Sequence, residues 1–179
     1  MTHPSILAAA SLMLVTGIIS SAAGPQAQAK AVKVPEQVLA KNVGDLTPEE
    51  EQQFSDAAEA TLERVCIACH PFENIIKTRR TVREWSDQVS TMSQRGAPGT
   101  EPDFALVKKY LTRYYGIVRV NTASVEELSA VLGLPPKVAA AVVEYRTANG
   151  KFTDLAGLAK VDGVDKAKLE EQPEAIKFD

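Results

Sequence analysis

Apolar residues recur at helical spacing through most of the chain, and the positions between them are polar. In the first half this pattern predicts three helices, over residues 47–65, 81–95 and 100–116. The first two begin at capping boxes, in which a threonine is followed three residues later by a glutamate. No convincing strand is predicted in this half.

The second half, from about Val118, consists of shorter helices separated by hairpins. Ser124 and Glu127 form another capping box, and Asn149 with Gly150 ends a longer helix. Four positions of an internal repeat recur after about thirty residues, as Leu128, Val131, Gly133 and Leu134 correspond to Leu158, Val161, Gly163 and Val164. We therefore predict an all-α chain, in which a small helical domain (47–116) precedes a tandem helix–hairpin–helix domain (118–179) whose hairpin glycines are Gly133 and Gly163.

The first 29 residues are predicted to be a signal peptide. An apolar run from Ile6 to Ile19 precedes the cleavage pattern Ala27-Gln28-Ala29. The alternative is an uncleaved signal anchor, which would be the chain's only attachment to a membrane; the apolar run is short for a span. We expect a periplasmic location, with residues 30–46 as a linker or a loosely packed arm.

Composition narrows the function classes only slightly. The chain has 179 residues and a formal net charge of −3, so no large basic surface is expected. Charge alone therefore gives no reason to expect nucleic acid or an anionic membrane as the main partner.

Both cysteines of the chain lie in the pentapeptide Cys66-Ile67-Ala68-Cys69-His70. Cys-x-x-Cys-His is the attachment motif for c-type haem, in which two thiols bind the porphyrin and the histidine binds its iron. Three alternatives are less favoured. A disulfide would close only a tiny loop, and a redox dithiol would be expected within a βαβ pattern that this sequence lacks. A zinc site would need further ligands, but the one other histidine is His3, in the signal peptide. We predict one haem c per chain, bound through Cys66 and Cys69 with His70 as an iron ligand.

The sixth iron ligand is less determined. Met92 is the one methionine outside the signal peptide, and it shares a helical face with Trp85. Met92 is a candidate ligand, or else a core residue. If it is a core residue, the sixth iron position is open, and the protein could be a haem sensor or a weak peroxidase. The candidate contacts to the haem propionates are Arg79, Arg80 and Trp85. Alternatively, the two arginines belong to a solvated charge run and Trp85 is a core residue.

Residues 47–116 resemble a monohaem cytochrome c domain, similar to the haem domain of quinohaemoprotein amine dehydrogenases. The shared pattern is Cys66-x-x-Cys69-His70 followed by Arg79-Arg80, Trp85, Met92 and Arg95-Gly96. The resemblance implies iron ligation by His70 and Met92, electron transfer with a redox partner protein, and no enzymatic activity.

The segment that opens with Val120-Asn121-Thr122-Ala123-Ser124 resembles the helix–hairpin–helix domain of ComEA-type DNA-uptake proteins. That resemblance implies non-sequence-specific DNA binding. Members that bind DNA have Gly-x-Gly hairpins, whereas this chain has Pro135 and Asp165 at the third positions. Residues 117–179 carry 8 Lys or Arg against 10 Asp or Glu, a net of −2.

From these observations we expect an exported electron-transfer cytochrome whose helix–hairpin–helix domain docks a partner protein. The alternatives are a periplasmic DNA-binding protein that carries a haem, and a haem sensor or peroxidase.

Overall fold

The structure, a computed structural model, describes residues 36–179; the predicted signal peptide lies outside that range. The predicted all-α class is confirmed. The helices are α1 (Glu36–Ala40), α2 (Pro48–Leu62), α3 (Phe72–Ile76), α4 (Val82–Gln94), α5 (Glu101–Tyr115), α6 (Val125–Leu132), α7 (Pro136–Asn149), α8 (Leu155–Leu158) and α9 (Lys166–Glu170). Two-residue strands β1 (Val118–Arg119) and β2 (Ile176–Lys177) pair in parallel, and 3₁₀ turns lie at Val43–Asp45 and Pro173–Ala175.

Capping boxes begin helices α2, α4, α5 and α6. At α2 the Glu50 amide donates to Thr47 Oγ1 at 3.2 Å, and the Thr47 amide donates to Glu50 Oε2 at 3.0 Å. The same reciprocal bonds begin α4, α5 and α6. Each box satisfies two amides that would otherwise lack a partner inside the helix, which is why the helix starts were readable from local sequence.

Helices α2, α4 and α5 pack into the core of the first lobe. Its largest fully buried side chains are Phe54, Trp85 and Leu111. On each of the three helices the buried residues recur at the spacing that places them on one face, so each helix buries a single apolar stripe.

The second lobe has its own core, formed by α6 to α9 and the paired strands. Leu128 and Leu158, which are equivalent positions of the thirty-residue repeat, are both fully buried in it. Asn121 joins three segments of this lobe. Its Nδ2 donates to the carbonyls of Phe152 (3.0 Å) and Phe178 (2.7 Å), and its Oδ1 accepts from the Phe152 amide (2.8 Å).

A short parallel bridge between Arg80 and Gly116 pairs the segment before α4 with the residues that follow α5. The Ile117 amide donates to the Arg80 carbonyl at 2.9 Å, and the Arg80 amide donates to the Tyr115 carbonyl at 3.3 Å. The buried indole Nε1 of Trp85 donates to the same Tyr115 carbonyl at 3.0 Å. Residues beside the predicted haem motif are therefore bonded to the backbone that leads into the second lobe.

Several short elements were not predicted. Helices α1, α3 and α9 have five residues each and the strands two, too few for a periodic pattern to emerge; α1 lies in the segment predicted as a linker. The first predicted helix continues past Leu62 as a π-helical turn, Glu63–Ile67. Within residues 36–179, no helix is both long enough and apolar enough to cross a membrane.

Candidate functional site

A cavity of about 450 Å³ opens in the first lobe between α4, α5 and the segment that carries both cysteines. Its volume lies in the usual range for sites that bind small molecules and cofactors. Most of its wall is apolar, formed by Val65, Val89, Phe104, Val107 and Leu111. It is therefore suited to a largely apolar group.

Cys66, Cys69 and His70 all line this cavity. Cys66 lies in the π-helical turn, a distortion that occurs often at functional sites. Both cysteines are free thiols; Cys69 is exposed, and burial together with the neighbouring Cys69 raises the pKa of the half-buried Cys66 thiol. The cavity thus presents two thiols and an imidazole on one wall.

Met92 lines the same cavity from α4, which is separate from the cysteine segment. His70 Nδ1 lies 3.5 Å from the Pro71 carbonyl oxygen. In the part of the chain that the structure describes, His, Cys, Asp and Glu side chains form no group of three or more that could hold a metal ion by themselves. Cys66, Cys69 and His70 are accordingly not gathered as a zinc site would require.

The predicted propionate contacts differ in where they point. Arg80 lines the cavity, with its guanidinium carbon 4.9 Å from the centre of the Trp85 ring. Trp85 also lines the cavity, but its indole donates to the Tyr115 carbonyl. Arg79 is directed toward the second lobe, where it donates to the Tyr114 carbonyl and pairs with Glu174.

Arg95 lines the cavity and was not predicted as a site residue. It caps the end of α4, one turn after Met92, and its side chain is exposed. The sequence contained this signal, because residues three apart on a helix share a face. Arg80 and Arg95 are thus the two cations at the cavity.

The predicted hairpin glycines, Gly133 and Gly163, both have left-handed backbone, with φ of 64° and 82°. A Cβ at Gly133 would lie 3.0 Å from Arg113 Nε, and one at Gly163 would lie 2.8 Å from Val138 Cγ2. Glycine is required at both positions because other residues rarely adopt this backbone conformation and a side chain there would collide with Arg113 or Val138. At the second hairpin, Asp165 accepts the Ala167 amide at 2.9 Å, so its carboxylate caps α9.

Comparisons with known proteins concern the second lobe. Residues 115–176 match the helix-hairpin-helix motif family. The chain is 35% identical over 60 residues to ComE operon protein 1 of Bacillus subtilis. The aligned segment covers 34% of this chain and 29% of that protein. It is 42% identical over 62 residues to endonuclease/exonuclease/phosphatase family domain-containing protein 1 of Xenopus laevis, covering 35% of this chain and 10% of the relative.

A protein of Haemophilus influenzae described only as uncharacterized is 37% identical over 62 residues, which is 34% of this chain and 55% of that protein. The chain thus spans less than a third of the length of the first two relatives. No solved structure matches the chain.

These findings support the helix–hairpin–helix part of the predicted resemblance and give no support to the cytochrome c part. The main functional prediction, an electron-transfer cytochrome with a partner-docking module, is therefore wrong, and the DNA-binding alternative is favoured. The error came from taking a five-residue motif as a statement of function. Such a motif indicates a chemical site, whereas the function of the whole chain depends on its other domain as well.

Proposed function

We propose that this chain is a DNA-binding protein of the periplasm that binds without sequence specificity and carries one haem. The match of residues 115–176 to the helix-hairpin-helix family carries the DNA-binding part. The predicted signal peptide, residues 1–29, supports export.

The proposed DNA contact is to phosphate, through hairpin backbone and nearby lysines. Backbone contacts of this kind position a protein on DNA without reading sequence. The lysines around the second hairpin are Lys160, Lys166 and Lys168, all exposed. Since the module carries a net charge of −2, we expect weak binding that is seen at low salt and lost as salt rises.

Fluorescence anisotropy with random-sequence duplexes tests the proposal. Asp165→Asn should strengthen binding about threefold to fivefold, because one unit charge about 5 Å from a phosphate is worth roughly 0.8 kcal/mol in water. Asparagine keeps the capping acceptor. Asp154→Asn is the matched control: Asp154 caps α8 through the Gly157 amide at 2.7 Å, and its replacement changes net charge equally. Absence of any binding by wild type at low salt would refute the function, whereas equal gains in both variants would refute a local role of Asp165.

The haem part of the proposal is supported by the way two separate segments meet at one cavity. Cys66, Cys69 and His70 come from the π-helical turn and the residues after it, while Met92 comes from α4. Chance proximity of the only two cysteines, the only described histidine and the only described methionine is a weak alternative, because all four line the same apolar cavity.

Each residue has a defined part in this proposal. The two thiols would attach a porphyrin by adding across its two vinyl groups, each S–H proton going to a vinyl carbon, so that attachment would need no oxidant. His70 Nε2 and the Met92 sulfur would be the ligands of its iron, and Arg80 and Arg95 would pair with its propionates. Haem, when bound, supplies an iron whose reactivity depends on these ligands.

Expression in a host able to mature c-type haem proteins tests attachment. The intact mass should exceed that of the polypeptide by one haem, and Cys66→Ser with Cys69→Ser should abolish the increase. Met92→Leu, which preserves side-chain size, should retain the haem but lose the spectrum of sulfur-ligated low-spin iron. Wild-type protein recovered from such a host at polypeptide mass, with two free thiols, would refute the haem proposal and leave the DNA proposal standing.

A further inference from the structure

The two hairpins of the second lobe lie in different surroundings. The second hairpin is open to solvent, with Asp162, Gly163 and Asp165 all exposed. In the first, Leu134 is buried and Gly133 is partly covered. The thirty-residue repeat therefore does not produce two equivalent surfaces.

Part of the cover on the first hairpin is the chain's own N-terminal arm, residues 36–46. The arm reaches the hairpin at Gly44, where a Cβ would lie 2.2 Å from the Leu134 carbonyl oxygen and 2.6 Å from Pro135 N. Only glycine allows backbone to approach backbone this closely. The segment predicted as a linker is thus packed against the hairpin that its family would present to phosphate.

The arm is also fixed to the first lobe. Lys109 Nζ donates to the carbonyls of Leu39 (3.0 Å) and Lys41 (2.6 Å). Lys41 in turn pairs with Glu50 at 2.6 Å, and Val43 is buried. These contacts anchor the arm on the N-terminal side of Gly44.

The chemistry of the first hairpin fits this internal role better than phosphate binding. Pro135 and Pro136 have no N–H to donate, and the Gly133 amide already donates to the Ser129 carbonyl at 3.0 Å. The positively charged Arg113 is held in place by Gln172 (2.9 Å) and Glu51 (3.5 Å). Its Nε is buried, so it is not presented to an external phosphate.

We propose that the first hairpin is the docking site for residues 42–46 of its own chain, and that DNA phosphate is contacted by the second hairpin alone. The DNA half of this inference rests on the proposed function. Lys166, at the start of α9, is then a phosphate contact, whereas Lys137, near the start of α7, is not.

Charge reversals at these two lysines form a matched pair, since both are exposed and both lie in the first turn after a hairpin. In the full chain, with a random-sequence duplex at low salt, Lys166→Glu should weaken binding about tenfold. Lys137→Glu should change it less than about twofold, because Lys137 follows the hairpin that the arm covers and so makes no close phosphate contact. A loss with Lys137→Glu equal to that with Lys166→Glu would overturn the assignment. No binding by wild type would overturn the DNA half together with the proposed function.

The docking half has a test that needs no DNA. Trypsin should cut after Lys41 slowly in the wild type and about tenfold faster in Gly44→Ala, because the methyl group displaces the arm. Gly157→Ala is the control, since a Cβ there meets nothing closer than 3.4 Å. Equal cleavage rates in wild type and Gly44→Ala would overturn docking of the arm, whatever the DNA result.

Discussion

Asn121→Asp should destabilise the second lobe although it changes a single atom type. The Asn121 Nδ2 donates to two carbonyls, of Phe152 and Phe178, which belong to different segments. Aspartate keeps the acceptor for the Phe152 amide but replaces the double donor with a carboxylate oxygen that faces both carbonyls. Two lost hydrogen bonds cost about 1 kcal/mol each, and carbonyls left without a donor add to this.

We therefore expect the free energy of unfolding to fall by about 3 kcal/mol, which corresponds to a decrease in Tm of about 6–12 °C for a chain of this size. Thermal and urea denaturation followed by circular dichroism would measure it. The matched control is Asn149→Asp, which loses one exposed bond from Nδ2 to the Tyr145 carbonyl at 3.0 Å. That variant should lose no more than about 1 kcal/mol.

The pH dependence provides a second check on Asn121→Asp. A protonated carboxyl can donate to one carbonyl, so the folded state favours protonation and raises the pKa of the introduced group above its unfolded value of about 3.9. The deficit relative to wild type should then be smallest near pH 4 and grow as pH rises to 7. Equal shifts for the two variants, or a deficit that does not change with pH, would refute the reasoning.

Three further predictions concern other parts of the fold. Trp85→Phe removes the indole bond to the Tyr115 carbonyl, which keeps the Arg80 amide as a partner. We expect the free energy of unfolding to fall by about 2–3 kcal/mol in urea denaturation, from the lost bond and the smaller ring; no loss would contradict a stabilising role of this bond. Ser129→Ala should raise the free energy of unfolding by about 1 kcal/mol, because the Ser129 hydroxyl is fully buried without a hydrogen-bond partner. If the variant is instead less stable in the same assay, the hydroxyl has a hydrogen-bond partner and the reasoning is wrong. Hydrogen bonds from the Thr81 amide and hydroxyl lower the pKa of Glu84, so the stability that its carboxylate adds should be lost as pH falls below about 4.5 in the wild type. Glu84→Gln should lack that part of the pH dependence in the same denaturation assay.

Local sequence determined where α2, α4, α5 and α6 begin and where the two hairpins turn. A capping box is complete within four residues, and a left-handed turn needs glycine at one position, so no knowledge of the rest of the fold is required. The thirty-residue repeat and the Cys66-x-x-Cys69-His70 motif are equally local. These features predicted the fold class, which is confirmed, and they mark Gly133 and Gly163 as left-handed turn residues. The haem ligands stay a prediction.

Tertiary structure decided which of these positions face one another. Neighbouring arginines in the sequence separate in space, since Arg80 lines the cavity and Arg79 pairs with Glu174 of the second lobe. The repeat predicts two equal hairpins, yet Gly44, distant in sequence, covers one of them and leaves the other exposed. The reason is physical: periodicity records only that a face is buried, whereas the packing of whole helices determines what buries it.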